Sequence, residues 1–302
     1  MSAPLVWLAS YPRSGNTWFR ILIANTAAVW EGPVDINHLE TAGEIASSRS
    51  LFDDQTLLDS GLLTQEEADA MRPAVYRSVA AEEASGTRFF KVHDAYTWNA
   101  ANEPLLGGIG RGAIYIARDP RDVAVSAARY FSRSIDQAIA GMNNIDTVLS
   151  MSRKSQALQL GQKLLGWSGH VRSWLDQHEV PVHLVRYEDL MSDTAVIFEA
   201  ALRFIGETAA PDRIEKAVRH SSFEELRRQE RAKGFRERFY AAPFFRQGGV
   251  ARWREVLTAA QADRIVEDHH ETMARLGYLQ ETKPYVYPQV VGEGRANNPP
   301  KD

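Results

Sequence analysis

A short polar segment near the start of the chain contains the residue types that bind phosphate groups. Residues 11–17 read YPRSGNT, with a positive charge at Arg13 and short polar side chains after it. An apolar run at residues 5–8 precedes the segment, and apolar residues with helical spacing follow it. A buried strand, a tight loop and a helix in this order direct backbone amides and the positive end of the helix dipole at one spot. The pattern indicates a phosphate-binding loop. It lacks the two glycines and the Gly-Lys-Ser/Thr ending of a Walker A motif, and the loop taken alone is equally compatible with an ordinary strand-to-helix turn.

Two more groups of residues that could bind ligands or take part in catalysis follow apolar runs that have the composition of buried strands. Lys91, His93 and Asp94 stand at the end of residues 87–92, and Arg118 follows residues 112–117. Ligands bind at the carboxyl ends of strands in open α/β sheets. A histidine there meets the need for a general base without a large shift in its pKa. By position alone, however, a local hydrogen bond at the strand end is the favoured explanation of His93, and a surface salt bridge with a neighbouring aspartate is the alternative for Arg118.

Several segments, in the same order along the chain, resemble the motifs of sulfotransferases that use 3′-phosphoadenosine 5′-phosphosulfate (PAPS). Residues 11–18, YPRSGNTW, resemble the 5′-phosphosulfate loop of that family, with Arg13 in place of a lysine. Residues 91–93, KVH, resemble the element that carries the catalytic histidine, and residues 116–126, IARDPRDVAVS, resemble the 3′-phosphate segment. The matches are short segments within residues 6–254, and the sequence between them is not closely similar.

The resemblance implies a role for each matching residue. His93 is expected to be the general base, with Arg13 and Lys91 as further catalytic residues. Residues 244–254, FFRQGGVARWR, resemble the family signature that closes over the nucleotide. Gln247 and Ala251 stand where that signature has a lysine and a glycine, while its arginine is kept as Arg246. The residues expected to bind the donor are Arg13, Ser14, Gly15, Asn16, Thr17, Trp18, Arg118, Ser126, Tyr187, Ser221, Phe223, Phe245, Arg246, Gln247 and Gly248.

Composition narrows the class of protein further. The 302 residues are 44% hydrophobic and 25% charged, as in ordinary globular proteins. The chain has no cysteine, which excludes disulfides, thiolate zinc sites and cysteine nucleophiles and fits a reducing compartment. The formal charge of −4 argues against general nucleic-acid binding. The start of the sequence lacks the pattern of a signal peptide, and no window approaches the roughly 20 apolar residues that cross a bilayer. We therefore expect a cytoplasmic enzyme with neither a nucleic-acid partner nor a membrane span.

The periodicity predicts which elements position these residues. Strands are expected at residues 5–8, 87–92, 112–117 and 182–187, with a long irregular stretch at residues 32–61. Asp119 and Pro120 suit the start of one helix, and Thr64 suits the N-cap of another that should break near Pro73. Residues 130–165 are expected to be helical and irregular, with a break near 141–144, and a last helix is expected at 261–276. Trp167 and Trp174 are expected in the core, and His170 is expected to be structural. Most of residues 227–238 should form a solvated face or mobile loop, and residues 281–302 a partly ordered tail.

Alternating strands and helices predict a three-layer α/β/α fold with a mostly parallel central sheet. We expect one domain, residues 1–302, built on a P-loop-like phosphosulfate-binding strand-loop-helix. The resemblance implies metal-free, in-line transfer of the sulfuryl group of PAPS to a hydroxyl of a small-molecule acceptor. Acceptor walls are expected from residues 31–63, 95–106, 130–165 and 234–245. The alternatives are an ATP-dependent kinase and a non-catalytic nucleotide-binding protein. The acceptor and the oligomeric state stay open, with a homo-oligomer as one alternative.

Overall fold

The structure, a computed structural model, describes residues 5–39, 42–83, 85–150, 157–238, 243–246 and 248–280. A five-stranded sheet lies at its centre, and every neighbouring pair of its strands is parallel. Two further short strands pair antiparallel outside it. The strands are β1 (Leu5–Ser10), β2 (Glu44–Ile45), β3 (Arg88–Val92), β4 (Gly112–Ala117), β5 (Val148–Leu149), β6 (Gln162–Lys163) and β7 (Val182–Arg186). The order of the central sheet is β2-β3-β1-β4-β7.

Burial on both faces explains why the strands of the sheet were visible in the sequence. All six residues of β1 and all six of β4 are buried, and parallel strands covered on both faces read as continuous apolar runs. The predicted strands at β1, β3, β4 and β7 are confirmed. The strand β2 was missed because two residues carry no periodic signal.

The helices begin at residues that can satisfy free backbone amides. Thr64, Ser134 and Thr258 each form a capping box with the side chain three residues later. Asp119 accepts from the Arg121 amide, and Pro120 occupies the first helical position as expected. The helices are α1 (Asn16–Ala27), α2 (Arg49–Thr56), α3 (Gln65–Ala81), α4 (Pro120–Tyr130), α5 (Ile135–Asn143), α6 (Gly166–Leu175), α7 (Tyr187–Ser192), α8 (Thr194–Phe204), α9 (Pro211–His220), α10 (Phe223–Lys233) and α11 (Ala259–Arg275), with 3-10 turns at Ser60–Leu62 and Arg252–Glu255.

Two apolar cores cover the two faces of the sheet and confirm the three-layer architecture. One core joins residues of α3, α4, α5, α6 and α11 to the sheet, and the other joins residues of α1, α8, α9 and α10 to it. Trp167 and Trp174 are fully buried in the first core, as expected. Among the described residues, no helix is long and apolar enough to cross a membrane.

The predicted break at Pro73 is wrong, because α3 continues through it. A proline lacks the N–H that would bond to the carbonyl four residues earlier, which here belongs to Asp69. The side-chain amide of Asn99 reaches that carbonyl oxygen at 3.5 Å. An amide from a distant loop thus takes the place of the missing helical donor.

Three other local predictions are corrected. Residues 32–61 contain α2. In the described part of residues 130–165 the expected interruption is present, because α5 ends at Asn143, but β5 and β6 follow it in place of further helix. Residues 227–238, most of which were expected to form a solvated face or mobile loop, include both exposed and buried side chains. Most of them belong to α10, and Glu230 and the side chain of Glu237 are largely buried. The predicted tail at residues 281–302 and Gln247 lie outside the described residues.

The sheet brings the chemically interesting strand ends together. Ala9 pairs with Val92, Ser10 pairs with Ile116, and Ala117 pairs with Arg186. The phosphate-binding loop and the residues after β3, β4 and β7 therefore meet at one edge.

Candidate active site

An open cleft of about 1550 Å³ lies at this edge. Most of the residues predicted from the sequence lie on its wall. These are Arg13, Gly15, Asn16, Thr17, Trp18, Lys91, His93, Arg118, Ser126, Tyr187, Phe223, Phe245, Arg246 and Gly248. Ser14 and Ser221 are buried and do not line it.

The loop between β1 and α1 requires a glycine at position 15. Gly15 has φ of +107°, and a Cβ built there would lie 2.7 Å from the Tyr187 ring. Both the left-handed conformation and the close approach exclude larger residues. The side-chain amide of Asn16 donates to the Leu8 carbonyl at 2.7 Å and ties the loop to β1. The loop is thus fixed between its own strand and the residue that follows β7.

Arg13 connects the loop to two other elements. Its guanidinium carbon lies 4.1 Å from the Tyr130 ring centroid and 4.6 Å from that of Phe244. Its Nε donates to the Ser126 hydroxyl at 3.2 Å. Burial lowers the pKa of Arg13 to about 10, so the side chain stays charged at neutral pH. A planar guanidinium stacks on aromatic faces in a way that an ammonium cannot match, and the two rings hold the charge in place inside the cleft.

His93 presents an unprotonated nitrogen. Its Nδ1 lies 2.8 Å from the Ser10 carbonyl oxygen, and a carbonyl only accepts hydrogen bonds, so Nδ1 carries the proton and Nε2 the lone pair. Burial and then the positive charge of Lys91 lower the pKa of His93 to about 3. This corrects the expectation that the pKa would need little shift. The ring is neutral across the physiological range and can take up a proton at Nε2.

His170 stands behind His93 and holds its backbone. It is fully buried, its Nε2 donates to the His93 carbonyl at 3.1 Å, and its Nδ1 lies 2.8 Å from the Tyr115 hydroxyl. The predicted structural role is confirmed by this geometry.

Lys91 and the buried Arg20 share a carboxylate that sequence reasoning missed. Glu237 accepts from Lys91 Nζ at 2.9 Å and from Arg20 at 2.6 Å. Burial opposes ionisation of Glu237, but the two cations outweigh it and lower its pKa to about 2. The residue lies in a run of alternating charges, RRQERAKGFRER, in which no local pattern distinguishes it from solvated neighbours.

The arginines of the cleft fit an anionic ligand. Arg118 donates to the carbonyls of Arg13 and Gly249, and its guanidinium lies over the Tyr187 ring. Its buried Nε has no partner among the described residues. The buried hydroxyl of Ser14 has none either. Burial and the nearby charges of Arg246 and Arg252 lower the pKa of Arg129. A bound phosphate would relieve this repulsion.

An aromatic wall continues from the loop towards α10. The Trp18 ring centroid lies 5.3 Å from that of Phe223 and 5.9 Å from that of Tyr187. A Cβ at Gly248 would lie 2.5 Å from Phe223, so only glycine permits this contact. Ser221 stands behind the wall, where its carbonyl accepts from Trp18 Nε1. The wall offers flat faces for a planar base.

The segment that closes the cleft is fixed by two buried carboxylates. Glu230 accepts from the amides of Phe244 and Phe245 at 2.7 and 2.9 Å. Asp122 accepts from the amides of Ala251 and Trp253 at 2.8 and 2.9 Å. Sequence reasoning did not identify either role, because the bonded residues are 14 or more positions apart and loop amides carry no sequence signal.

Only two of the four predicted acceptor walls reach the cleft among the described residues. Residues from 130–165 and 234–245 line it, whereas none from 31–63 or 95–106 does. Val34, Ile36 and Leu39 pack into a core instead, and Tyr96 is buried. In the described part of the chain, no group of three or more His, Asp and Glu side chains could hold a metal ion.

Comparison with known sequences identifies relatives of the chain. The family model described as sulfotransferase domain matches residues 3–277. The chain is 29% identical over 192 residues to a 3-beta-hydroxysteroid sulfotransferase of Cavia porcellus, covering 57% of the chain and 58% of that protein. It is 25% identical over 222 residues to a luciferin sulfotransferase of Photinus pyralis, covering 73% of the chain and 56% of that protein. The chain thus spans little more than half the length of these relatives.

Solved structures share the fold. A mouse sulfotransferase complexed with PAP superposes with a TM-score of 0.57 at 17% identity, covering 91% of this chain and 85% of that one. Retinol dehydratase in a complex with retinol and PAP gives 0.57 at 18% identity, covering 95% and 84%. These likenesses confirm the predicted α/β fold.

Proposed function

The chain belongs to the sulfotransferase domain family, and on this premise we propose that it transfers the sulfuryl group of PAPS to a hydroxyl of a small molecule. The observation that carries the proposal is the placement of His93. His93 lines a cleft that Lys91 and Arg13 also line, and its Nδ1 is bonded to the Ser10 carbonyl, which leaves the lone pair on Nε2. A neutral base beside two cations suits the attack of a hydroxyl on an anionic donor.

Binding of the donor is assigned to residues on three sides of the cleft. The loop at Arg13–Trp18 would hold the phosphosulfate. Arg118, Ser126 and Arg246 would hold the 3′-phosphate, since charge-assisted bonds suit a dianion. Trp18, Tyr187 and Phe223 offer their rings to the adenine. Ser14 and Ser221, being buried, would contribute through their backbone or through the residues that they support.

The reaction is then a direct displacement. PAPS supplies an electrophilic sulfur and a bisphosphate leaving group. His93 Nε2 takes the proton of the acceptor hydroxyl as its oxygen bonds to sulfur, and the leaving oxygen keeps the electron pair of the broken S–O bond. Arg13 and Lys91 stabilise the charge that grows on that oxygen, a contribution worth about 10²–10³ in rate for one such contact. The side chains of this chain thus supply a base on one side and charge on the other.

The acceptor is proposed to be a small hydroxyl compound. The two curated relatives are named for steroid and luciferin substrates, and the cleft provides the apolar side chains of Phe131, Leu149 and Leu158 next to the amides of Gln159 and Gln162. A mixed wall of this kind suits a compound with both ring and polar parts. We further propose that residues 1–302 are one domain acting in the cytoplasm.

Selective stabilisation by nucleotides tests the proposal. A ligand of the native state raises the free energy of unfolding by about 2.7 kcal/mol at 100 times its Kd. We expect the melting temperature to rise most with 3′,5′-bisphosphate, much less with AMP, and little with ATP and magnesium. Arg118→Ala is the control, in which the preference for the bisphosphate over AMP should shrink. A larger shift with magnesium-ATP would favour the kinase alternative. Strong bisphosphate binding without transfer to any acceptor would favour a non-catalytic nucleotide-binding protein.

A further inference from the structure

In the loop that follows α10, the side chain of Glu237 contacts Lys91 on β3. Glu237 lies four residues beyond the end of α10, and its side chain is only 18% exposed. It pairs with Arg20 on α1 and with Lys91 on β3, whose side chains are 3% and 12% exposed. The backbone carbonyl of the same residue accepts from the Tyr130 hydroxyl at 3.4 Å. Residue 237 therefore lies between Lys91 and the ring on which Arg13 stacks.

The charges around Lys91 make this carboxylate important. Burial lowers the pKa of Lys91, and the nearby charges of Arg20 and Arg13 lower it further. Glu237 acts in the opposite direction, through both its charge and its hydrogen bond. Lys91 and His93 are two residues apart at the end of β3, and the charge of Lys91 in turn lowers the pKa of His93. A change at Glu237 would thus reach the proposed base through Lys91.

We propose that Glu237 is a positioning residue for sulfuryl transfer, which keeps the Lys91 ammonium charged and fixed beside His93. The expected effect on turnover rests on the proposed function. The effect of Glu237 on the charge of Lys91 does not, because it is a property of the folded protein alone. The Arg20 side chain anchors the carboxylate from the other side. Because Glu237 belongs to the loop that borders the cleft, the charge state of Lys91 depends on that loop being in place.

The direct test measures the pKa of Lys91 by NMR in protein with isotope-labelled lysine. The chain has seven lysines, so the Lys91 signal can be assigned by its loss in Lys91→Arg. In Glu237→Gln the Lys91 pKa should fall by about 1–3 pH units, the usual effect of one close opposite charge. Glu199→Gln is the matched control. Its ion pair with Arg203 is equally short, at 2.6 Å, but both side chains are more than half exposed, and the Lys91 pKa should not change.

The pH dependence of kcat distinguishes a positioning role of Glu237 from a purely structural one. In Glu237→Gln we expect kcat to fall about 10- to 100-fold at pH 8, with bisphosphate affinity within about twofold of wild type. The alkaline limb of the pH–rate profile should move to lower pH, because Lys91 loses its proton earlier. The deficit in kcat should therefore shrink as the pH falls. A deficit independent of pH, or an unchanged Lys91 pKa, would overturn the proposal.

A second variant covers the case in which Glu237→Gln does not fold. Glu237→Asp keeps the charge on a shorter side chain, so the Lys91 pKa should stay within about 1 pH unit of wild type. A larger fall in this variant would show that the charge of residue 237 does not set the state of Lys91. If no acceptor is sulfated by the wild type, the proposed function fails, while the NMR comparison still decides whether Glu237 controls Lys91.

Discussion

Replacing Asp94 by Asn should destabilise the protein and leave the chemistry intact, although Asp94 adjoins the proposed base. The carboxylate is fully buried and accepts from Arg72 at 2.7 and 3.1 Å. Arg72 itself is 1% exposed. Removing one partner of a buried ion pair costs about 3–5 kcal/mol, because the other charge is left without compensation.

Asp69 reduces that loss but cannot remove it. It lies 3.4 Å from Arg72 and shares its charge with Lys163 at 3.2 Å. We therefore expect the lower end of the range, about 3 kcal/mol, which corresponds to a fall in Tm of about 6 °C for a chain of this size. Calorimetry gives the Tm, and kcat should be measured well below the transition. His93→Asn is the matched comparison, with nearly normal Tm and little turnover. An Asp94→Asn variant with normal Tm and a kcat reduced about 10³-fold would make Asp94 the base and refute the assignment of His93.

Three further predictions concern the donor site and the pH dependence. Arg118→Ala should weaken the binding of PAPS by about 10²-fold or more and the binding of adenosine 5′-phosphosulfate much less. Equal losses of affinity in titrations with both ligands would show that Arg118 does not contact the 3′-phosphate. Gly15→Ala should weaken bisphosphate binding and lower the free energy of unfolding by about 1–3 kcal/mol, because the new Cβ would lie 2.7 Å from the Tyr187 ring. Gly86→Ala is the control for backbone strain alone, since Gly86 has a φ of +85° and no described atom lies within 4 Å of a Cβ built there. If denaturant titrations showed similar losses for both variants, the clash with Tyr187 would not be the cause. Burial and the charge of Lys91 lower the pKa of His93 to about 3, so the base is neutral above that pH and loses activity only as the pH falls through it. The profile of kcat/KM should show no acid limb of His93 between pH 5 and 8, and a limb near 6.5 that disappears in His93→Asn would contradict the buried, neutral ring.

The sequence was most informative where one local pattern determines the structure. Continuous apolar runs identified β1 and β4 because strands buried on both faces leave that signature. Thr64 and Asp119 marked helix starts because their side chains bond to amides two or three residues away. The loop at residues 11–17 combined an apolar strand, turn residues and a helical pattern within a few positions, so the phosphate-binding edge was predictable.

Contacts between distant residues left no such pattern. Asn99 supports the helix at Pro73 from another loop, and Glu237 reaches Arg20 and Lys91 across more than 140 positions. The largest part of the shift in the His93 pKa follows from burial by the completed fold, which the sequence does not reveal, and the nearby charge of Lys91 adds to it. Local reasoning therefore located the site, and the tertiary structure set its electrostatics.

The most direct test of the account measures turnover and nucleotide affinity in the same His93→Asn preparation. Turnover uses labelled PAPS and an acceptor found by screening phenols, alcohols, sugars and peptides with the wild type, and affinity uses the 3′,5′-bisphosphate. We predict that turnover falls by about 10²–10⁴-fold, while bisphosphate affinity stays within about threefold of wild type. Turnover that survives the substitution would place the base elsewhere, and a collapse of affinity together with turnover would make His93 a structural residue.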